Sequence, residues 1–123
     1  MTWTRLSTGA IGEEEAQRVL KKNGYKILDR NFRARFGEID IVAMDRGVIV
    51  FVEVRTKKAQ SMFASPGESI DMRKQKRITL AAEEYLTSCG MADHPARFDV
   101  VSIEIDGGAF KAELIKDAFD AGL

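Results

Sequence analysis

Apolar positions between residues 9 and 23 recur at helical spacing. Ala16, Val19 and Leu20 form one stripe, and Asn23-Gly24 supplies a stop signal. Tyr25 to Phe32 reads as a short strand, after which the period changes. Gly37-Glu38-Ile39-Asp40-Ile41-Val42-Ala43 runs through Met44-Asp45-Arg46-Gly47 into Val48-Ile49-Val50-Phe51-Val52-Glu53-Val54-Arg55. Both halves are rich in β-branched and aromatic residues, the composition of a hairpin. Ala59 to Ala64 is a polar loop. A second helix spans about residues 71 to 88, because Ile78, Ala81, Ala82, Tyr85 and Cys89 fall on one face. Its start has two candidates: Ser65-Pro66-Gly67-Glu68 has capping-box spacing, and Asp71 could cap a later start. Cys89 ends the apolar stripe and is expected to be buried. Arg97 to Ile105 and Ala109 to Ile115 are strands joined by the turn signal Asp106-Gly107-Gly108. The order α-β-β-β-α-β-β describes one α/β domain over residues 9–117, with tails at 1–8 and 118–123.

The hairpin carries a conflict. A two-residue turn at Arg46-Gly47 sets Asp45 opposite Val48, and the same register sets Asp40 opposite Glu53. Directly opposed residues share a face, with Cβ atoms about 4.5–5.5 Å apart. Glu53 shares its face with Ile49 and Phe51, while Val50, Val52 and Val54 occupy the other. A strand apolar on both sides is normally buried on both sides. Two like charges there destabilise the sheet unless a cation lies between them. Two further charges lie on apolar stripes: Glu13 is about 20° from Leu20 around the first helix, and Lys74 precedes Ile78 by one turn. Either could be innocent, since a long stem reaches water. Arg55 and Lys57 continue the parity of Glu53, and the register puts Arg55 opposite Glu38, where a plain cross-strand salt bridge is the simple reading.

Composition narrows the chemistry. The 123 residues suffice for one core, and 45% hydrophobic with 31% charged residues describes an ordinary soluble protein. No apolar run is long enough to span a bilayer, and Met1-Thr2-Trp3-Thr4-Arg5 opens no signal peptide. The single cysteine excludes an internal disulfide and fits a reducing cytoplasm. With one cysteine and one histidine, His94, which reads as a loop residue, a protein-built metal site must use oxygen ligands. That favours Mg²⁺ or Mn²⁺ over zinc. Net charge is zero, yet residues 53–77 carry +4 and residues 98–123 carry −4. Such polarity can present a basic face to phosphates.

Together the blocks Gly12-Glu13, Asn23-Gly24-Tyr25, Asn31-Phe32-Arg33, Phe36-Gly37-Glu38-Ile39-Asp40, Phe51-Val52-Glu53-Val54-Arg55-Thr56-Lys57, Ser65-Pro66 and Arg97-Phe98-Asp99-Val100-Val101 resemble the YraN-like family of bacterial proteins. That family looks like a branch of the PD-(D/E)xK, or restriction-endonuclease-like, nucleases, and is similar to archaeal Holliday-junction resolvases. The resemblance implies a mixed β-sheet flanked by helices. It also implies that Asp40 and Glu53 bind metal, completed by Glu13 from the first helix. Arg55 stands where the motif has a lysine. An arginine stabilises negative charge but is a poor general base.

The resulting expectation is a cytoplasmic Mg²⁺- or Mn²⁺-dependent endonuclease acting on DNA, with branched or flap structures as candidate substrates. Asp40, Glu53, Glu13 and a backbone carbonyl near Val54 would hold the ion. Arg55 and Lys57 would face the scissile phosphate, and Arg73, Lys74, Lys76 and Arg77 would grip the backbone. Arg33 and Arg35 offer an alternative binding face. Cutting two strands needs two sites, which by analogy points to a homodimer. A second reading keeps the fold as a weakly active or inactive nucleic-acid-binding module of recombination or repair, favoured by Arg55. A third is a structural adaptor, for which only the neutral net charge speaks. Asp99 has no role legible here beyond a strand residue that switches faces.

Overall fold

The computed structural model describes residues 8–58 and 70–120. Helix α1 (Thr8–Lys22) leads into strands β1 (Lys26–Arg33), β2 (Glu38–Asp45) and β3 (Val48–Lys58). Helix α2 (Met72–Ser88) follows, and strands β4 (Ala96–Asp106) and β5 (Ala109–Phe119) complete the chain. The five strands form one sheet in sequence order. Neighbours are antiparallel except β3 and β4, which run parallel because the chain crosses between them through α2. This mixed sheet with two helices has the element order that the sequence pattern predicts.

Each helix covers one face. Ile78, Ala81 and Tyr85 of α2 pack against Val42, Phe51 and Phe98, with the Phe51 and Tyr85 rings edge-on at 5.8 Å. Ala16 and Leu20 of α1 pack against Val50, Val52 and Val101. Strand β3 is therefore covered on both sides, as its double-sided apolar pattern requires. The β2–β3 register is the expected one, running from Asp45 opposite Val48 to Ile41 opposite Val52. Its turn places both Arg46 (φ 50°) and Gly47 (φ 82°) in the left-handed region, the geometry whose twist suits a two-residue hairpin.

Asp71 is the N-cap of α2, accepting the Lys74 N–H at 2.8 Å. The rival cap at Ser65–Glu68 lies outside the described residues. Strand β5 continues past the expected end at Ile115 to Phe119, whose ring stacks on Phe98 at 4.7 Å. Cys89 is exposed, contrary to expectation. It is the C-cap residue and Gly90 turns the chain at φ 69°, so the buried stripe ends at Leu86.

Asp99 is wholly buried. It accepts from the Tyr25 hydroxyl (2.7 Å), Arg97 Nε (2.9 Å) and the Asp117 N–H (2.9 Å), while Arg97 also donates to Asp45 at 2.7 Å. Asp99 and Arg97 together thus tie the residue before β1, the end of β2 and the far part of β5 to β4. A buried charge is tolerated only when so fully satisfied, and the β4–β5 register shifts at this point. Among the described residues, no helix is long and apolar enough to cross a membrane.

Candidate active site

Beyond Ile41 and Val52 the β2–β3 ladder gives way to a side-chain contact: the Val54 N–H donates to Asp40 Oδ2 at 2.8 Å. Asp40 and Glu53 line the same cleft on the α2 face, and the Glu53 charge acts on the Asp40 carboxyl. Glu53 is buried, and Lys74 Nζ of α2 lies 2.7 Å from its Oε1. The Asp71 cap fixes the first turn of α2, and Lys74 lies in that turn, one helical turn before buried Ile78. A cation does sit against these two acids, and it is a lysine from the facing helix.

One lysine does not neutralise the pair. The Asp40 carboxyl is pushed up to about 7, chiefly by burial and then by the neighbouring Glu53. The Val54 N–H and Lys74 pull it down, and Glu38 adds to the rise. The Glu13 carboxyl on α1 is also raised, first by burial and then by Asp40 and Glu38. Glu13 is therefore within electrostatic reach of Asp40, although it lines a separate depression beside Arg30 and Asn31. Gly12 brings α1 this close, since a Cβ there would overlap Thr56 Oγ1 on β3.

Among the described residues, no group of three His, Cys, Asp or Glu side chains forms a metal cluster by itself. The expected trio is an adjacent pair with a third carboxylate in electrostatic range. That donor set still suits magnesium, which is commonly held by one or two carboxylates and completes its shell with water and phosphate oxygens. A pair holding a proton near neutrality is short of positive charge, and a divalent ion would supply it.

The cleft is open and about 880 Å³ in volume. Arg33, Arg73, Lys74 and Arg77 line it with Phe36, alongside Asp40, Glu53 and two further acids, Glu38 and Asp71. The structure divides the predicted basic quartet: Lys76 lines a different depression with Met72 and Asp120, while Arg33 joins from β1. Arg55 and Lys57 extend the Glu53 face along β3 beyond the cleft lining, half-buried and opposite Ser102 and Glu104 of β4. Sequence reasoning passed over Phe36, although the run Arg33-Ala34-Arg35-Phe36-Gly37 carries the signal of an aromatic between arginines at a glycine turn.

The profile of the uncharacterised protein family UPF0102 matches residues 12–103. A UPF0102 protein of Moorella thermoacetica is 48% identical over 121 residues, spanning 97% of this chain and 100% of its own. One from Desulfosudis oleivorans is 47% identical, spanning 97% of this chain and 94% of its own. One from Symbiobacterium thermophilum is 43% identical, spanning 92% and 96% respectively.

Proposed function

The chain belongs to the UPF0102 family, the YraN-like family that its motifs resemble, and we propose that it is a divalent-metal-dependent endonuclease hydrolysing DNA phosphodiesters. The observation that carries this reading is half-buried Asp40 beside buried Glu53 in a cleft that also gathers Arg33, Arg73, Lys74 and Arg77, with Glu38 and Asp71 as further acids. Binding phosphates gains nothing from converging carboxylates, whereas binding a metal at a phosphate requires them.

Asp40 and Glu53 would hold Mg²⁺ or Mn²⁺, with Glu13 adding negative charge from α1. When bound, the ion supplies a water of lowered pKa and neutralises charge on the attacked phosphate. The Val54 N–H fixes the Asp40 carboxylate, and Lys74 fixes that of Glu53. Lys74 therefore serves the acids, where the sequence reading had it grip the DNA backbone. Arg33, Arg73 and Arg77 hold phosphates. Arg55 and Lys57 act on charge that develops at the far end of the Glu53 face, a role that suits a guanidinium better than that of general base.

The binding-module reading keeps one argument: Arg55 stands at the position of the motif lysine, and Lys74 already sits on Glu53. Calorimetric titration of Mn²⁺ separates the two. Saturable binding by the wild type that is lost in Asp40→Ala supports the nuclease reading. Absence of metal binding by the wild type refutes it.

A further inference from the structure

Phe36 is 60% exposed at the rim of the acidic cleft, on the β1–β2 connection. Leaving a large aromatic ring in water forfeits the hydrophobic gain that burial would bring, and this ring is not loose. The Ala34 N–H donates to the Gly37 carbonyl at 2.8 Å, closing the turn beneath it. Gly37 lies so close to α2 that a Cβ would come within 2.6 Å of the Arg77 carbonyl oxygen. The Arg35 N–H reaches Glu84 of α2 at 3.3 Å, and the Arg35 guanidinium lies 5.4 Å from the Phe36 ring centre. Both neighbours of Phe36 are anchored to α2, and the ring is held outward.

The surroundings say what such a ring meets. Arg33, Arg73 and Arg77 share its cleft with Glu38, Asp40, Glu53 and Asp71, and on the DNA reading these arginines meet phosphates. A planar hydrophobic face beside a row of phosphate-binding cations matches a nucleobase, and only an unpaired base presents its face. We propose that Phe36 is a stacking platform for an unpaired nucleobase, so that this cleft takes DNA with a single-stranded segment beside the Asp40–Glu53 pair. This rests on reading the cleft as a DNA site, but not on cleavage itself. Stacking on an aromatic ring is tolerant of base identity, so the site selects DNA structure over sequence.

The test uses the full chain with metal chelated, on two fluorescent DNAs: a duplex bearing a flap with 2-aminopurine at its first unpaired position, and the same sequence fully paired. The wild type should bind the flap more tightly and quench its 2-aminopurine. Phe36→Ala should lose flap affinity by about 5- to 150-fold, the range for one lost stack, and abolish quenching. Its affinity for the paired duplex should stay unchanged. Phe36→Trp should restore both, and Arg77→Ala should weaken binding to both DNAs. The inference is overturned if Phe36→Ala binds and quenches as the wild type does, or loses flap and duplex equally. It is also overturned if Phe36→Ala changes only the oligomeric mass, which would make the ring a contact between copies of this chain. A wild type that binds flaps through Phe36 yet cuts nothing with Mg²⁺ or Mn²⁺ would remove the nuclease reading and leave this one standing. A wild type that binds no DNA removes both.

Discussion

At the residue scale the site turns on how little positive charge Asp40 receives. Its carboxyl sits at about 7, above its ordinary 3.8, because burial and Glu53 outweigh the Val54 N–H and Lys74. Raising an acid's pKa in the folded state favours the fold while the group is protonated. That stability is present below pH ~4 and is lost as pH rises through ~7. Asp40→Asn should therefore raise the melting temperature of the metal-free protein at about pH 8 and leave it near wild type at about pH 4; equal shifts at both would contradict this. Protons and metal compete for the same oxygens. Mn²⁺ affinity should fall by roughly tenfold per unit as pH drops below ~7, and level off above it. Arg55 sets a second expectation. General-base assistance typically contributes 10²- to 10⁴-fold, so Arg55→Lys should raise metal-dependent cleavage towards that range. If Arg55→Lys cuts no faster while Lys57→Ala cuts nothing, the assisting lysine is Lys57.

At the element scale, the hairpin was readable because local chemistry fixed it: Arg46-Gly47 set the register, and register decides which side chains share a face. Helical period likewise put Lys74 and Glu13 on their sheet-facing sides. What period cannot give is reach. Lys74 closes on Glu53 at 2.7 Å whereas Glu13 only influences Asp40 from α1, and that difference depends on how each helix docks. Asp99 was illegible for a related reason. Its partners Tyr25, Arg97 and Asp117 meet only after β1, β4 and β5 assemble. Phe36 escaped because an exposed loop aromatic has no periodicity to betray it. The docking of α1 depends on Gly12. Gly12→Ala should cost about 1–3 kcal/mol, as overpacking does, and Thr56→Ala should recover part of that loss in the double variant. A Gly12→Ala protein that melts as the wild type does would show that α1 needs no such close approach.

At the scale of the whole molecule, zero net charge conceals a cleft that gathers Arg33, Arg73, Lys74 and Arg77 beside Glu38, Asp40, Glu53 and Asp71. Replacing Arg33, Arg73 and Arg77 together should lower the salt-dependence slope of DNA binding by up to ~2.7, at about 0.9 per phosphate contact. Lys76→Ala, facing elsewhere, should leave the slope unchanged. The whole account rests on the claim that Asp40 and Glu53 would hold a metal that supplies an activated water for hydrolysis of a DNA phosphodiester. Its most direct test is Mn²⁺-dependent cleavage of a flap-bearing DNA by wild type, Asp40→Ala and Glu53→Ala purified side by side. The account predicts cleavage by the wild type alone, abolished by chelation. Cleavage that survives in Asp40→Ala, or a wild type that cuts nothing, would contradict it.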